Sequence, residues 1–205
     1  QNNTIQYSSP VQIPGTTWSQ TSGLSHKYGI KTDGTLWSWG YNNIGGLGHN
    51  NLTNYSSPVQ VGSDTTWSKI STGHKQSAFA IKTDGTLWGW GSANNKVLNG
   101  SDTNAKSSPV QTPGTTWKSV LQYGEGIYGF KTDGTLWAWG ENLSGQLGQN
   151  NRTAYSSPIQ IPGTTWTGDG YTMPNTILAT KTDGTLWGWG ANQDVGPLGV
   201  NNRTN

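Results

Sequence analysis

Along Thr115-Thr116-Trp117-Lys118-Ser119-Val120, β-branched and aromatic residues alternate with polar ones, the two-residue period of a strand with one buried face. An alternating segment, Ser107-Ser108-Pro109-Val110-Gln111, precedes it and leads into a Pro-Gly turn at Pro113 and Gly114. After a glycine-containing loop comes Ile127-Tyr128-Gly129-Phe130-Lys131, and then Thr132-Asp133-Gly134-Thr135 before Leu136-Trp137-Ala138-Trp139. Asp-Gly between two β-type runs predicts a hairpin, because Gly accepts positive φ without steric cost. Trp137 and Trp139 fall on one face of the last strand, with Leu136 and Ala138 on the other. Both faces are therefore apolar, and the strand is expected in a sheet stacked between neighbouring sheets. Nothing in the chain shows the 3.6-residue period of a helix.

The pattern occurs four times. Lys-Thr-Asp-Gly-Thr-Leu-Trp begins at Lys31, Lys82, Lys131 and Lys181, at spacings of 51, 49 and 50 residues, and Trp18, Trp67 and Trp166 are the equivalents of Trp117. The approximate repeats are 1–48, 49–99, 100–148 and 149–199, with 200–205 beginning a further one, all within a single repeat domain 1–205. Four strands in about 50 residues is the size of a propeller blade. The expected fold is all-β, a β-propeller of four-stranded antiparallel blades, here four repeats of a larger ring of about seven blades. Gln1-Asn2-Asn3 matches Gln149-Asn150-Asn151, so both chain ends fall in an inter-blade loop. A segment of a longer array is the favoured expectation, ahead of pairing with other copies or of closure by four blades alone.

Composition narrows the function. Only 30% of residues are apolar and 11% charged, yet 12 Trp and 8 Tyr offer enough large apolar surface for a packed core despite 30 Gly and 9 Pro. The net charge of +2 comes without a run of Lys or Arg, so no nucleic-acid footprint is present. No apolar stretch reaches the length of a membrane span. Without cysteine, neither disulfides nor thiolate metal sites are available.

Asp133-Gly134-Thr135-Leu136-Trp137-Ala138-Trp139-Gly140-Glu141-Asn142, followed by Gly145-Gln146-Leu147-Gly148, resembles the repeat of the regulator of chromosome condensation family. The resemblance covers essentially the whole chain and implies a β-propeller, usually of seven blades. Family members often place a His in the strand before the Asp-Gly turn; His26 fits, whereas the other units have Ser77, Gly126 and Thr176. The founding member is a guanine nucleotide exchange factor that also contacts chromatin, through an inserted β-wedge and a basic tail. This sequence shows neither, so the resemblance places exchange activity on none of its residues.

The repeated side chains read as structure. Trp18, Trp37, Trp39, Trp67, Trp88, Trp90, Trp117, Trp137, Trp139, Trp166, Trp187 and Trp189 are expected in the core, since blade packing needs an aromatic at every equivalent position. Asp33-Gly34, Asp84-Gly85, Asp133-Gly134 and Asp183-Gly184 are expected turns in which Asp accepts hydrogen bonds from its own loop. No catalytic residue, metal ligand set or cofactor motif is found. A binding surface is better sought where the repeats differ. The candidates lie in Leu24 to Tyr28, Gly73 to Gln76, Tyr123 to Ile127 and Asp169 to Asn175. They are Leu24, Ser25, His26, Lys27, Tyr28, His74, Lys75, Gln76, Tyr123, Glu125, Asp169, Tyr171 and Met173, all before the same strand and so on one face of the ring. The expected role is a non-enzymatic interaction or adhesion scaffold, extracellular or on a virion or cell surface, with a protein or cell-surface glycan as partner. The alternatives are an intracellular exchange factor or chromatin scaffold, and a glycan-binding module. Asn-X-Ser/Thr triplets, among them those at Asn2, Asn51, Asn99, Asn142, Asn151 and Asn202, are candidate glycosylation acceptors.

Overall fold

The computed structural model describes residues 5–23, 26–72, 77–93, 98, 104–124, 126–173, 175–192 and 198–199. They form fifteen strands in four antiparallel sheets. Blade I comprises β1 (Trp18–Gly23), β2 (His26–Lys31), β3 (Leu36–Gly40) and β4 (Tyr55–Gln60). Blade II comprises β5 (Trp67–Thr72), β6 (Ser77–Lys82), β7 (Leu87–Gly91) and β8 (Lys106–Thr112). Blade III comprises β9 (Trp117–Tyr123), β10 (Gly126–Lys131), β11 (Leu136–Gly140) and β12 (Tyr155–Ile161). Blade IV has β13 (Trp166–Met173), β14 (Thr176–Lys181) and β15 (Leu186–Gly190). The architecture is that of a propeller, with four blades making up part of a ring.

The sheets are cut one strand later than the sequence repeat. Ser107-Ser108-Pro109-Val110-Gln111 leads into Trp117 in sequence, but it pairs with β7 as the last strand of blade II, Trp88 opposite Gln111. The Pro-Gly turn then carries the chain to the first strand of the next blade. Each four-stranded sheet therefore takes three strands from one repeat and the fourth from the next. First strands adjoin around the ring: Gln20 Nε2 donates to Ser68 O at 2.6 Å, Lys69 Nζ to Lys118 O at 2.6 Å and Lys118 Nζ to Thr167 O at 2.7 Å.

The Asp-Gly hairpins form at all four sites, with a three-residue loop. In blade I, Lys31 N–H donates to Thr35 O and Gly34 N–H to Lys31 O, both at 3.0 Å, and Gly34 takes φ 77°. Asp33 Oδ1 accepts from Thr35 N at 3.0 Å and from Thr35 Oγ1 at 2.7 Å, and Trp37 Nε1 donates to Thr35 Oγ1 at 2.8 Å. The same three-residue network recurs at Asp84, Asp133 and Asp183. Gly34 has a second duty: a Cβ there would lie 1.9 Å from Thr65 O, because the turn abuts the connector entering blade II. Its carbonyl accepts from Trp67 N–H at 3.1 Å, as Gly85 O does from Trp117 and Gly134 O from Trp166.

Between sheets the core is aromatic. Trp67 meets Trp88 and Trp90 edge-on at 6.3 and 6.2 Å, and Trp166 meets Trp187 and Trp189 at 6.4 and 5.7 Å. The second Trp of each pair reaches the preceding blade: Trp90 lies 5.9 Å from Tyr28 and donates to Gly46 O at 2.9 Å, and Trp189 donates to Gln146 O at 2.9 Å. Trp67, Trp90, Trp117, Trp139 and Trp166 are buried; Trp18, Trp37, Trp39, Trp88, Trp137 and Trp189 are half-buried. Trp187 departs from the expected core position. It is 49% exposed, and Leu186 beside it is 65% exposed while Leu36, Leu87 and Leu136 are at 0%. No blade covers that side of β15 among the described residues.

Candidate binding face

The loops leaving first strands share one end of the sheets. Ser22 and Thr72, at the ends of β1 and β5, hydrogen-bond at 2.9 Å, and Gln122 of β9 donates to Ser77 Oγ of β6 at 2.6 Å. The loops between third and fourth strands emerge at the same end. Antiparallel pairing puts the Asp-Gly turns at the opposite end.

Part of the expected binding set turns inward. His26 is 1% exposed and Tyr28 0%, and both correct the expectation that they present themselves to a partner. Tyr28 opens the run of buried side chains in β2 and donates its hydroxyl to Gly46 O, and His26 packs edge-on against it at 5.6 Å. Burial, then the nearby Lys27 charge, lowers the His26 pKa to about 4, so its imidazole is neutral near pH 7. Burial also raises the Tyr28 and Tyr128 hydroxyl pKa values. Lys27, Asp169 and Tyr171 are exposed, the last by 64%, and Met173 is half-buried. Tyr123 contributes a backbone that pairs with Gly126. Leu24, Ser25, Gly73, His74, Lys75, Gln76 and Glu125, and the Tyr123 side chain, lie outside the described residues.

The wider loops on this face are built around a buried Asn. Asn142, 0% exposed, donates its Nδ2 to Asn151 O at 2.9 Å and to Thr153 O at 3.0 Å, and its Oδ1 accepts from Leu147 N–H at 2.9 Å. Asn42 makes the equivalent set to Asn51, Thr53 and Leu47. In the second unit the equivalent position holds Ala93, in step with the divergent Lys96, Val97 and Asn99 in its sequence. These bonds also bear on glycosylation. The amide nitrogen of Asn142 is buried and engaged, and those of Asn51 and Asn151 each donate to a Tyr hydroxyl at 3.1 Å. Asn2, Asn99 and Asn202 lie outside the described residues.

A repeated device that sequence reading passed over is the Lys of the motif. Lys31 Nζ sits 5.1 Å from the Trp18 ring and 4.1 Å from Trp37, and Lys82, Lys131 and Lys181 repeat the sandwich. The signal was present, since Lys precedes every Thr-Asp-Gly, but its Trp partners come from two different strands. Among the described residues no group of three or more His, Asp or Glu could hold a metal ion. No helix of the described residues is long and apolar enough to cross a membrane. A cavity of about 230 Å³ between the inner strands of blades I to III is lined by Gln20, Lys69, Ile70, Ser71, Phe79, Ile81, Ser119 and Val120, a set without catalytic chemistry.

Residues 33–80 and 133–167 match the family model for the regulator of chromosome condensation (RCC1) repeat. The chain resembles the RCC1 repeat family. Each matched stretch opens at an Asp-Gly turn and runs into the next blade, so the RCC1 repeat, like the repeat read from this sequence, is out of phase with the sheet. Solved structures agree on the fold. Human WBSCR16 superposes with a TM-score of 0.73 at 22% identity, over 92% of this chain and 51% of that one. Yeast RCC1 (Prp20), in its complex with Kap60, gives 0.79 at 16% identity over 94% and 48%. Prp20p from Saccharomyces cerevisiae, described together with its binding to Gsp1p and histones, gives 0.76 at 17% identity over 90% and 48%. The chain spans about half the length of these structures.

Proposed function

We propose that this RCC1-like chain is a non-catalytic protein-binding scaffold that engages its partner through the loops at the first-strand end of the blades. One observation carries the proposal: the side chains that recur in every blade are consumed internally. Each turn Asp is bonded to its Thr, each motif Lys lies between two Trp rings, and the described Asn organisers are satisfied within their loops. What remains outward is what differs between repeats, among it Lys27, Asp169 and Tyr171. An exposed Tyr two residues from the exposed Asp169 suits a protein surface, where Tyr is enriched at binding hot spots.

That yeast RCC1 (Prp20) is seen bound to Kap60, and Prp20p is described binding Gsp1p and histones, supports a protein as partner class. The glycan alternative calls for exposed Trp on the loop face; the exposed Trp187 lies instead beside the open edge of blade IV. Few charges, no Cys and abundant Asn, Thr and Gly support a place outside the cell or on a virion or cell surface. Localisation of the tagged full-length product checks this, and a cytosolic or nuclear product refutes it.

The binding test compares two variants as bait. Lys27→Ala with Tyr171→Ala should lose the partner that the wild-type chain retains, whereas Thr115→Ala with Thr164→Ala, at the opposite end, should keep it. The reverse pattern refutes the proposed face. Stimulated nucleotide release from a small GTPase would replace the non-catalytic assignment with the exchange-factor alternative.

A further inference from the structure

At the outer edge of blade I the chain carries a further acceptor triplet, Asn54-Tyr55-Ser56, of the Asn-X-Ser/Thr form without Pro at its centre. Asn54 closes the loop that joins β3 to β4 and directly precedes β4, the strand farthest from β1 in its sheet. The equivalent residues of the other repeats are Gln6, Ala105 and Ala154, so the triplet belongs to this blade alone.

What an amide nitrogen can take on depends on what its hydrogens already do. Asn142 Nδ2 donates to Asn151 O and Thr153 O from full burial. Asn51 Nδ2 is divided between His49 O at 3.4 Å and the Tyr55 hydroxyl at 3.1 Å, and Asn151 Nδ2 between Gln149 O and the Tyr155 hydroxyl, both at 3.1 Å. A sugar on any of these nitrogens displaces a hydrogen that its loop uses, and a group left without its partner costs stability. Asn54 is built differently. It is exposed, its Oδ1 accepts from Asn42 N–H at 2.6 Å, and its Nδ2 donates to nothing among the described residues. The oxygen fixes the side chain and is untouched by N-linkage, so the nitrogen takes a substituent without loss of a bond. Ser56 is exposed as well. Two large apolar residues of the same loop face solvent: Tyr41, beside the Asn42 that holds Asn54, by 49%, and Leu52 by 60%. In the third unit these positions hold Glu141 and Arg152.

We propose that Asn54 is an N-glycosylation site, the folded protein carrying an oligosaccharide on this nitrogen where it shields Tyr41 and Leu52 from water. The donor is an oligosaccharide carried on a polyprenyl diphosphate. Asn54 Nδ2 bonds to the anomeric carbon as the bond from that carbon to the diphosphate oxygen breaks; the diphosphate leaves with the bonding electrons, and Nδ2 gives up one proton. Nothing is oxidised or reduced. The inference rests on the reading that the protein works outside the cell, since the donor is met on the export route. Because β4 is the outermost strand, the sugar chain borders the loops of the binding face at the rim of blade I and leaves the first-strand loops open.

The test uses the full-length protein, led into the secretory pathway of mammalian cells by its own or an added leader and purified from the medium. Peptide-N-glycosidase in heavy-oxygen water leaves a heavy aspartate wherever a glycan stood, and peptide mass spectrometry reads its position against an enzyme-free control. The label should be found at Asn54 and not at Asn142. Asn54→Gln should remove it and raise gel mobility by one glycan. Ser56→Ala, which keeps the Asn54 side chain and its bond to Asn42, should do the same. An unlabelled Asn54 in the secreted, folded protein overturns the proposal, and so does label at Asn142 in that fraction, since the internal bonds would then decide nothing. A cytosolic or nuclear address of the tagged product in its own cells overturns it by removing the donor instead, so failure of the site and failure of the location are read separately.

Discussion

At the scale of single residues, buried polar groups set the sharpest consequences. Asn142 satisfies two carbonyls and one amide from full burial. Asn142→Ala should cost about 1–3 kcal/mol, the toll of stranding buried groups, lowering the melting temperature by roughly 2–4 °C per kcal/mol for a chain of this length. Thermal denaturation checks it. His26 gives a pH signature. Its pKa falls from 6.5 to about 4 on folding, so between those values the unfolded chain binds more protons than the folded one. Stability is present above pH 6.5 and is lost as pH falls toward 4, by about 3 kcal/mol at roughly 1.36 kcal/mol per pKa unit. His26→Ser, which installs the residue found at Ser77, should flatten denaturant midpoints across that window. The turn carboxyls act lower down: hydrogen bonds from Thr hydroxyls, then Thr amides, depress Asp33, Asp84, Asp133 and Asp183, so their contribution goes only as pH falls below the ordinary carboxyl range.

At the scale of the element, glycine in the hairpin separates two effects. Gly134 combines φ 78° with a Cβ position 2.3 Å from Thr164 O, whereas Gly184 combines φ 83° with open space. Gly184→Ala should cost only the left-handed backbone penalty, about 1–2 kcal/mol. Gly134→Ala should cost clearly more, because the connector of blade IV must also shift; the difference in unfolding free energy between the variants measures the junction. The hairpins and the stacking of apolar strands were legible in the sequence, since Asp-Gly chemistry and two-residue periodicity are local. The pairing of Ser107 to Gln111 with β7 was not. A period of about 50 residues fixes how often strands recur and says nothing about which four share a sheet. His26 and Tyr28 escaped for a related reason: next to a variable loop they read as surface, and only the neighbouring blade, with Trp90 against Tyr28, makes them core.

At the scale of the whole molecule, order should fall from the middle of the chain toward blade IV. Leu136, Ala138 and Trp139 of β11 are buried completely, while Leu186 and Trp187 of β15 face solvent. Amide hydrogen exchange should be faster along β15 than along β11 in dilute protein, since local opening costs least where few apolar contacts are lost. The face that remains accessible carries the residues in which the repeats differ, on a frame whose shared positions are spent on itself.

The one-strand offset between repeat and sheet bears on how such a chain changes length over generations. Genetic recombination between two misaligned copies of the repeat inserts or deletes about 50 residues wherever the crossover falls, and the phase of the pattern survives. Every sheet in the product still draws its last strand from the following copy, so each addition arrives already sewn to its neighbours. A gene of this kind can lengthen or shorten in steps of one blade without having to invent a new junction.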